Sequence, residues 1–148
     1  MTHHTHRSSG IDLAVVGATG AVGREMLEIL AERDVPITSL RAIASERSAG
    51  EELSVNISGS AGDADPRSTV TVEDIEAVSF DGLDYALFTA GSNVSRRYAR
   101  KAVDAGATVI DNTSAFRMTD GVPLVVPEVN GAVLDKLEQP TLIANPNC

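Results

Sequence analysis

The chain has 148 residues, of which 43% are hydrophobic, 22% charged and 3% aromatic, with no tryptophan. That length suits one domain with a true core, built on Val, Ile, Leu and Ala rather than on rings. The net charge of −9 argues against a nucleic-acid partner, which would need a clustered basic surface. No apolar run nears the roughly 20 residues that span a bilayer, so no membrane partner is expected. A lone cysteine excludes an internal disulfide and fits a reducing, cytoplasmic setting.

Residues 1–10 read as a disordered arm, because their polar start is followed by no apolar h-region of a secretory signal. The arm carries all the histidines, His3, His4 and His6, and no metal site is expected around them. Ile11 to Gly17 is a short apolar run ending in glycine, the pattern of a buried parallel strand. A helix follows, with Val22, Met26, Leu27, Ile29 and Leu30 spaced for one face. Leu40 to Ser45 reads as the second strand. Leu53–Ile57 and Thr69–Val72 are weaker strands around the polar loop SGSAGDADPRS. Tyr85 to Ala90 is a strong strand. Ser92 is then expected to cap a helix over about Val94–Ala105, stopped by Gly106. Thr108–Asp111 is another buried strand, Leu124–Val126 a weak one, Val133–Leu137 a short helix and Thr141–Ala144 the last strand. Strand and helix alternate, which predicts an α/β, Rossmann-type doubly wound, mostly parallel sheet with helices on both faces. The expected domain is 11–148.

Gly17, Gly20 and Gly23 form G-x-x-G-x-x-G between a predicted strand and a predicted helix. In that context the first glycine allows the tight turn, the second a close approach to a pyrophosphate, and the third close packing of helix on strand. The free N–H groups at the helix start would face the anion. At the end of the second strand, Arg47 with Ser45 and Ser48 suits the 2′-phosphate of NADP, since a guanidinium matches phosphate geometry. Glu46 stands in the same stretch and is the residue type that holds the ribose of NAD, so NAD remains the alternative.

Asn145-Pro146-Asn147-Cys148 follows a buried strand. Ligands of a doubly wound sheet bind outside the carboxyl ends of its strands, which places Cys148 on the edge that carries the glycine loop. A thiol beside a nicotinamide can attack an aldehyde, and the thiohemiacetal can then give up hydride. Such a nucleophile needs a base or a lowered pKa, yet no histidine occurs after His6. In the stretch Ile110 to Met118, Arg117 could clamp an anionic substrate through a bidentate contact.

The blocks VGATGAVGREMLEIL, ASERSAG, IDNTSAFRM, VPLVVPEVN and ANPNC together resemble aspartate-semialdehyde dehydrogenase of the bacterial branch, from about Ile11 to Cys148. The resemblance implies an oxidoreductase that reversibly converts L-aspartyl-4-phosphate and NADPH to L-aspartate 4-semialdehyde, NADP and phosphate. That reaction serves the biosynthesis of lysine, threonine, methionine and, in bacteria, diaminopimelate. By position, Cys148 would be the nucleophile that forms a thioacyl-enzyme. Arg117 would bind the substrate phosphate, with Asn147 among the active-site groups. Thr19, Gly20, Ala21 and Val22 match the pyrophosphate loop, and Ser45, Arg47 and Ser48 match the block that reads the 2′-phosphate. Ala90, Gly91 and Ser92 resemble the loop beside the ribose and nicotinamide. Family members are homo-oligomers, dimers or tetramers. In them a second domain supplies the base histidine, a further phosphate-binding basic residue and most of the dimer interface. The resemblance therefore implies a cofactor-binding portion, ending at the junction with a catalytic domain and inactive alone. Two other readings stay open. One is a relative of N-acetyl-gamma-glutamyl-phosphate reductase, which tends to carry G-A-S-G-Y-x-G and H-P-G-C-Y where this chain has GATGAVG and NPNC. The other is a non-catalytic dinucleotide-binding module.

Overall fold

The apolar run Ile11–Val16 forms β1 near the centre of a seven-stranded sheet in the computed structural model, which describes residues 10–57 and 68–146. The expected N-terminal arm (1–9), most of the SGSAGDADPRS loop (58–67) and the pair Asn147 and Cys148 lie outside the described residues. The elements in chain order are β1, α1 (Ala21–Glu32), β2 (Ile37–Ala44), β3 (Glu52–Val55), β4 (Ser68–Asp74), β5 (Tyr85–Phe88), α2 (Ser92–Asp104), β6 (Thr108–Asp111), α3 (Pro127–Asn130) and β7 (Leu142–Ala144). Short 3-10 turns cover Glu46–Ser48 and Gly131–Lys136.

The strand order is β3-β4-β2-β1-β5-β6-β7. Every pairing is parallel except that of β3 with β4. The chain winds outward from β1 through β2 to β4, then returns to β5 on the other side of β1 and winds outward again. This is the doubly wound Rossmann arrangement, and its switch point lies between β1 and β5. Successive β1 side chains serve opposite faces, as strand geometry requires. Leu13 and Val15 join Leu27 of α1 in one core, while Ala14 and Val16 join Tyr98, Ala99 and Ala102 of α2 in the other. Phe88, wholly buried, anchors the second core with Phe80, their ring centroids 6.2 Å apart.

Helix α2 is set by its ends. Gly91 is the N-cap at φ 96°. At the far end the Gly106 N–H donates to the Val103 carbonyl and the Ala107 N–H to the Ala102 carbonyl, with Gly106 at φ 103°. These two bonds are a Schellman stop, which needs a left-handed residue.

Several expectations are corrected. Ser92 does not cap α2: it is the first helical residue, and Gly91 takes the cap because only glycine readily adopts that φ. On α1 the buried residues are Gly23 and Leu27, with Met26 and Leu30 partly covered, whereas Val22 and Ile29 are 47% and 37% exposed. The close seat at Gly23 turns the helix so that its contact line runs through Gly23 and Leu27, four residues apart. Strand β2 starts at Ile37, three residues before the expected Leu40, because parallel pairing with β1 holds the polar Thr38 and Ser39 in extended form. Leu124 makes an isolated parallel bridge to Ala144 rather than a strand. The helix expected over Val133–Leu137 is the 3-10 turn Gly131–Lys136, preceded by α3 with its proline at the start.

Candidate functional site

Three strand exits meet at the carboxyl edge of the sheet. At the first, β1 runs into Gly17 at φ 92°, a conformation that disfavours any side chain. A Cβ there would lie 2.7 Å from the Thr89 hydroxyl and 2.8 Å from the Ala90 nitrogen. A Cβ on Gly23 would collide with the Gly17 carbonyl and come within 2.8 Å of the Ala18 Cα. Gly20 differs: its Cβ would meet nothing closer than the Gly17 oxygen at 3.4 Å. Gly17 and Gly23 are thus required by the protein's own packing, while Gly20 leaves space on its outer side. No side chain caps α1, whose N-cap is Gly20. The amides of the first helical residues, Ala21 and Val22 among them, are of the kind that an anion can satisfy.

At the second exit, the Gly17 and Ala18 N–H groups donate to the Ile43 carbonyl at 2.8 and 3.2 Å. This ties the glycine loop to the end of β2. The Thr19 hydroxyl donates to the Ser48 hydroxyl at 3.3 Å. Ser45, Glu46 and Arg47 are exposed. Among the described residues Arg47 has no side-chain partner, so its five donors remain available.

At the third exit, Thr89 was missed by sequence reasoning. Its N–H and its hydroxyl both donate to the Val16 carbonyl, at 2.8 and 3.1 Å. Thr89 therefore fixes the Ala90-Gly91-Ser92 turn against Gly17. The Ser92 and Ser114 hydroxyls lie 2.9 Å apart, joining this turn to the segment that follows β6.

That segment starts at Asp111, a wholly buried carboxylate. Its Oδ1 accepts from the Ser95 hydroxyl at 2.8 Å and the Thr113 N–H at 3.1 Å, and its Oδ2 accepts from the Thr113 hydroxyl at 2.9 Å. Burial of a charge is tolerated when it is so fully hydrogen-bonded. Arg117, partly buried, donates from Nε to the Asn145 carbonyl at 2.7 Å and from Nη2 to the Asn112 carbonyl at 3.2 Å. Asp111, Asn112 and Asn145 were also missed. The available signal was their position at the carboxyl ends of β6 and β7, the edge where ligands of such sheets bind. Asn147 and Cys148, the remaining expected site residues, fall outside the described residues.

A groove of about 760 Å³ lies between α1 and β3, lined by Arg24, Leu27 and Glu28 on one side and Leu53 and Val55 on the other. None of the three strand exits contributes to it. Among the described residues no cluster of three metal-ligating side chains occurs, and no helix is long and apolar enough to cross a membrane.

A glycine loop at the switch point of a doubly wound sheet, joined to the turns after β2 and β5, defines a protein of the Rossmann-like dinucleotide-binding class. The family described as "Semialdehyde dehydrogenase, NAD binding domain" matches residues 12–137, and the chain belongs to it. The chain is similar to the aspartate-semialdehyde dehydrogenase of Bacillus subtilis (strain 168), 48% identical over 139 residues, a match covering 94% of this chain and 37% of that protein. Among solved structures it is similar to aspartate semialdehyde dehydrogenase II of Vibrio cholerae complexed with ASA. That match has 42% identity and a TM-score of 0.83, covering 94% of this chain and 42% of the other. It is similar too to a probable aspartate-semialdehyde dehydrogenase of Pseudomonas aeruginosa, with 35% identity, a TM-score of 0.79, and 93% and 38% coverage. The chain thus spans about two fifths of the length of these relatives.

Proposed function

We propose that this chain is the NADP-binding portion of a cytoplasmic, homo-oligomeric aspartate-semialdehyde dehydrogenase. The observation that carries the reading is the contact of one glycine loop with both neighbouring exits, through Gly17 to Thr89–Ala90 and through Thr19 to Ser48. A dinucleotide laid across the switch point would need these same turns. The residues fit the group: Gly20 leaves room beside uncapped helical amides, and Arg47 is without a partner among the described residues. Gly17, Thr19, Gly20, Ala21, Val22 and Gly23 would hold the pyrophosphate. Ser45, Arg47 and Ser48 would hold the 2′-phosphate, and Ala90, Gly91 and Ser92 would lie beside the ribose and nicotinamide. The specificity for NADP over NAD rests on Arg47 outweighing its neighbour Glu46, since a guanidinium pairs with a phosphate and a carboxylate repels it.

In the reaction, the Cys148 thiolate attacks the acyl carbon of L-aspartyl-4-phosphate, the C–S bond forms, and phosphate leaves with the electron pair of the broken C–O bond. Arg117 stabilises that departing charge, with Asn147 beside the reacting group. When bound, a dinucleotide would supply the hydride that turns the thioacyl group into L-aspartate 4-semialdehyde, with the C–S bond breaking and the Cys148 sulfur leaving as thiolate. The base that activates the thiol comes from the second domain that such enzymes carry, so the 148-residue chain is expected to bind NADP without turning over.

Calorimetric titration with NADP and NAD tests the reading. Tighter binding of NADP by tenfold or more, with no steady-state turnover of aspartate semialdehyde, is the expected result. A chain that binds neither dinucleotide sinks the cofactor role. Turnover at an ordinary enzymatic rate would sink the division of labour between two domains. In an enzyme completed by its second domain, Cys148→Ser is expected to abolish the reaction, and a fully active variant would remove Cys148 as the nucleophile.

A further inference from the structure

Arg24 closes the first turn of α1, its N–H donating to the Gly20 carbonyl at 3.0 Å. A cation is poorly placed there, because a helix N-terminus carries a partial positive charge. Carboxylates stand near enough to relieve it. Glu28 lies one turn further along α1, and Glu28, Glu32 and Glu52 line the same groove as Arg24. Yet among the described residues none of the three forms an ion pair with it. The side chain leans back towards the helix start, as helical side chains tend to do, and its Nε donates to the Thr19 carbonyl at 3.1 Å. Arg24 is exposed, and its Nη1 and Nη2 have no partner among the described residues.

Thr19 is thus held from two sides. Its carbonyl accepts from Arg24, and its hydroxyl donates to the Ser48 hydroxyl at 3.3 Å. One residue therefore ties Arg24 to the turn of Ser45, Glu46, Arg47 and Ser48. The charges of that turn offset each other, Glu46 against Arg47, and the glycine loop 17–23 has no charged side chain. Arg24 is the charge that leaves the junction of loop and turn cationic.

We infer that Arg24 is a second phosphate-reading residue, which with Arg47 selects a dinucleotide phosphorylated on its adenosine ribose, an inference that rests on the reading of the 45–48 turn given above. A phosphate monoester carries nearly two negative charges at neutral pH, and Arg47 beside Glu46 answers only part of them. Arg24 offers the free end of a rigid fork from the loop side. Its Nε bond to Thr19 orders the side chain in advance, which reduces the entropy lost on binding. An unphosphorylated ribose gives Arg24 nothing to hold, so the residue acts on selectivity.

Calorimetric titrations of the 148-residue chain with NADP, NAD and adenosine 2′,5′-bisphosphate at two ionic strengths test the role. Arg24→Gln keeps a good helix former and removes the charge. It is expected to weaken NADP and the bisphosphate by about tenfold, to leave NAD unchanged and to lessen the salt dependence of NADP binding. Arg24→Lys, which keeps the charge, is expected to recover part of the loss. A urea melt matching that of the native chain shows that each variant is folded. Equal losses for NADP and NAD would mean that Arg24 only braces the glycine loop, and no loss for either would mean that it meets no ligand; both overturn the inference. If Arg47→Ala removes the preference for NADP while Arg24→Gln preserves it, the turn stands as the phosphate site and Arg24 alone is excluded. A native chain with no preference for NADP would remove the phosphate site itself, and the role of Arg24 with it.

Discussion

The Thr19 hydroxyl lies 3.3 Å from the Ser48 hydroxyl, joining the glycine loop, already tied to the end of β2 through the Ile43 carbonyl, to the turn that follows that strand. It joins the proposed pyrophosphate and 2′-phosphate positions, with the exposed Arg47 beside Ser48.

Arg47→Ala is expected to weaken NADP binding by about tenfold to a hundredfold, the range of a charge-assisted hydrogen bond. NAD binding should change little. The loss should be largest at low salt, because the lost contact is exposed and screened. Titrations of both dinucleotides at two ionic strengths check it. An equal loss for both would mean that Arg47 does not read the phosphate.

The glycines of the loop should separate into two kinds. Gly17→Ala meets a left-handed φ and the Thr89 hydroxyl, and Gly23→Ala meets the Gly17–Ala18 backbone. Each is expected to cost about 2 kcal/mol or more of stability, from strain and overpacking. Gly20→Ala has an ordinary φ of −74° and open space, so it should fold normally yet bind dinucleotide at least tenfold more weakly. Denaturant melts paired with binding titrations distinguish the classes.

Asp111→Ala leaves the buried Ser95 hydroxyl and the Thr113 groups without their acceptor. A loss of about 3 kcal/mol is expected, the scale for breaking a buried charged hydrogen-bond set. Adding Ser95→Ala should cost less than it does alone, since its partner is already gone. A full double-mutant cycle by urea unfolding measures the coupling, and strict additivity would contradict the network.

Arg41 grips Glu73 through both carboxylate oxygens and donates to the Ser79 carbonyl at 2.7 Å. The bonded carboxylate raises the arginine's pKa, partly offset by burial. The Glu73 side chain is 40% exposed, so solvent screens the pair, and Arg41→Ala is expected to cost only about 1 kcal/mol. Thermal melts with and without high salt should show that part of this difference disappears.

The parts of the fold set by local pattern are legible in the amino-acid sequence. β5 and β7 are uninterrupted apolar runs, β1 and β6 are apolar apart from Asp12 and the end residues Thr108 and Asp111, and the alternation of strand and helix implies the parallel sheet. Gly17 and Gly106 announce turns that only glycine makes easily. What escapes such a reading depends on neighbours distant in the chain. Val22 and Ile29 have helical spacing suited to burial, but their exposure follows from how closely Gly23 seats α1 on the loop. Ser92 has the chemistry of a cap, yet Gly91 has the required backbone angle. The hydrogen-bonded triangle of Asn112, Arg117 and Asn145 joins residues up to 33 positions apart, and it exists only because β6 and β7 are neighbours. Of the candidate site, the glycine loop is legible as a motif, while Thr89 and Asp111 look like ordinary strand-end residues until the strands are in register.

Strand β7 ends the sheet, but its outer side is not bare. The Ala144 N–H donates to the Pro123 carbonyl at 2.9 Å, and the Ala144 carbonyl accepts from the Val125 N–H at 3.0 Å. The run 123–125 thus pairs the outward backbone groups of Ala144, which would otherwise be open to another chain. A sheet edge blocked at its last residue is a poorer template for edge-to-edge growth into aggregates. Deleting that run would convert the border of the fold into a template for intermolecular pairing.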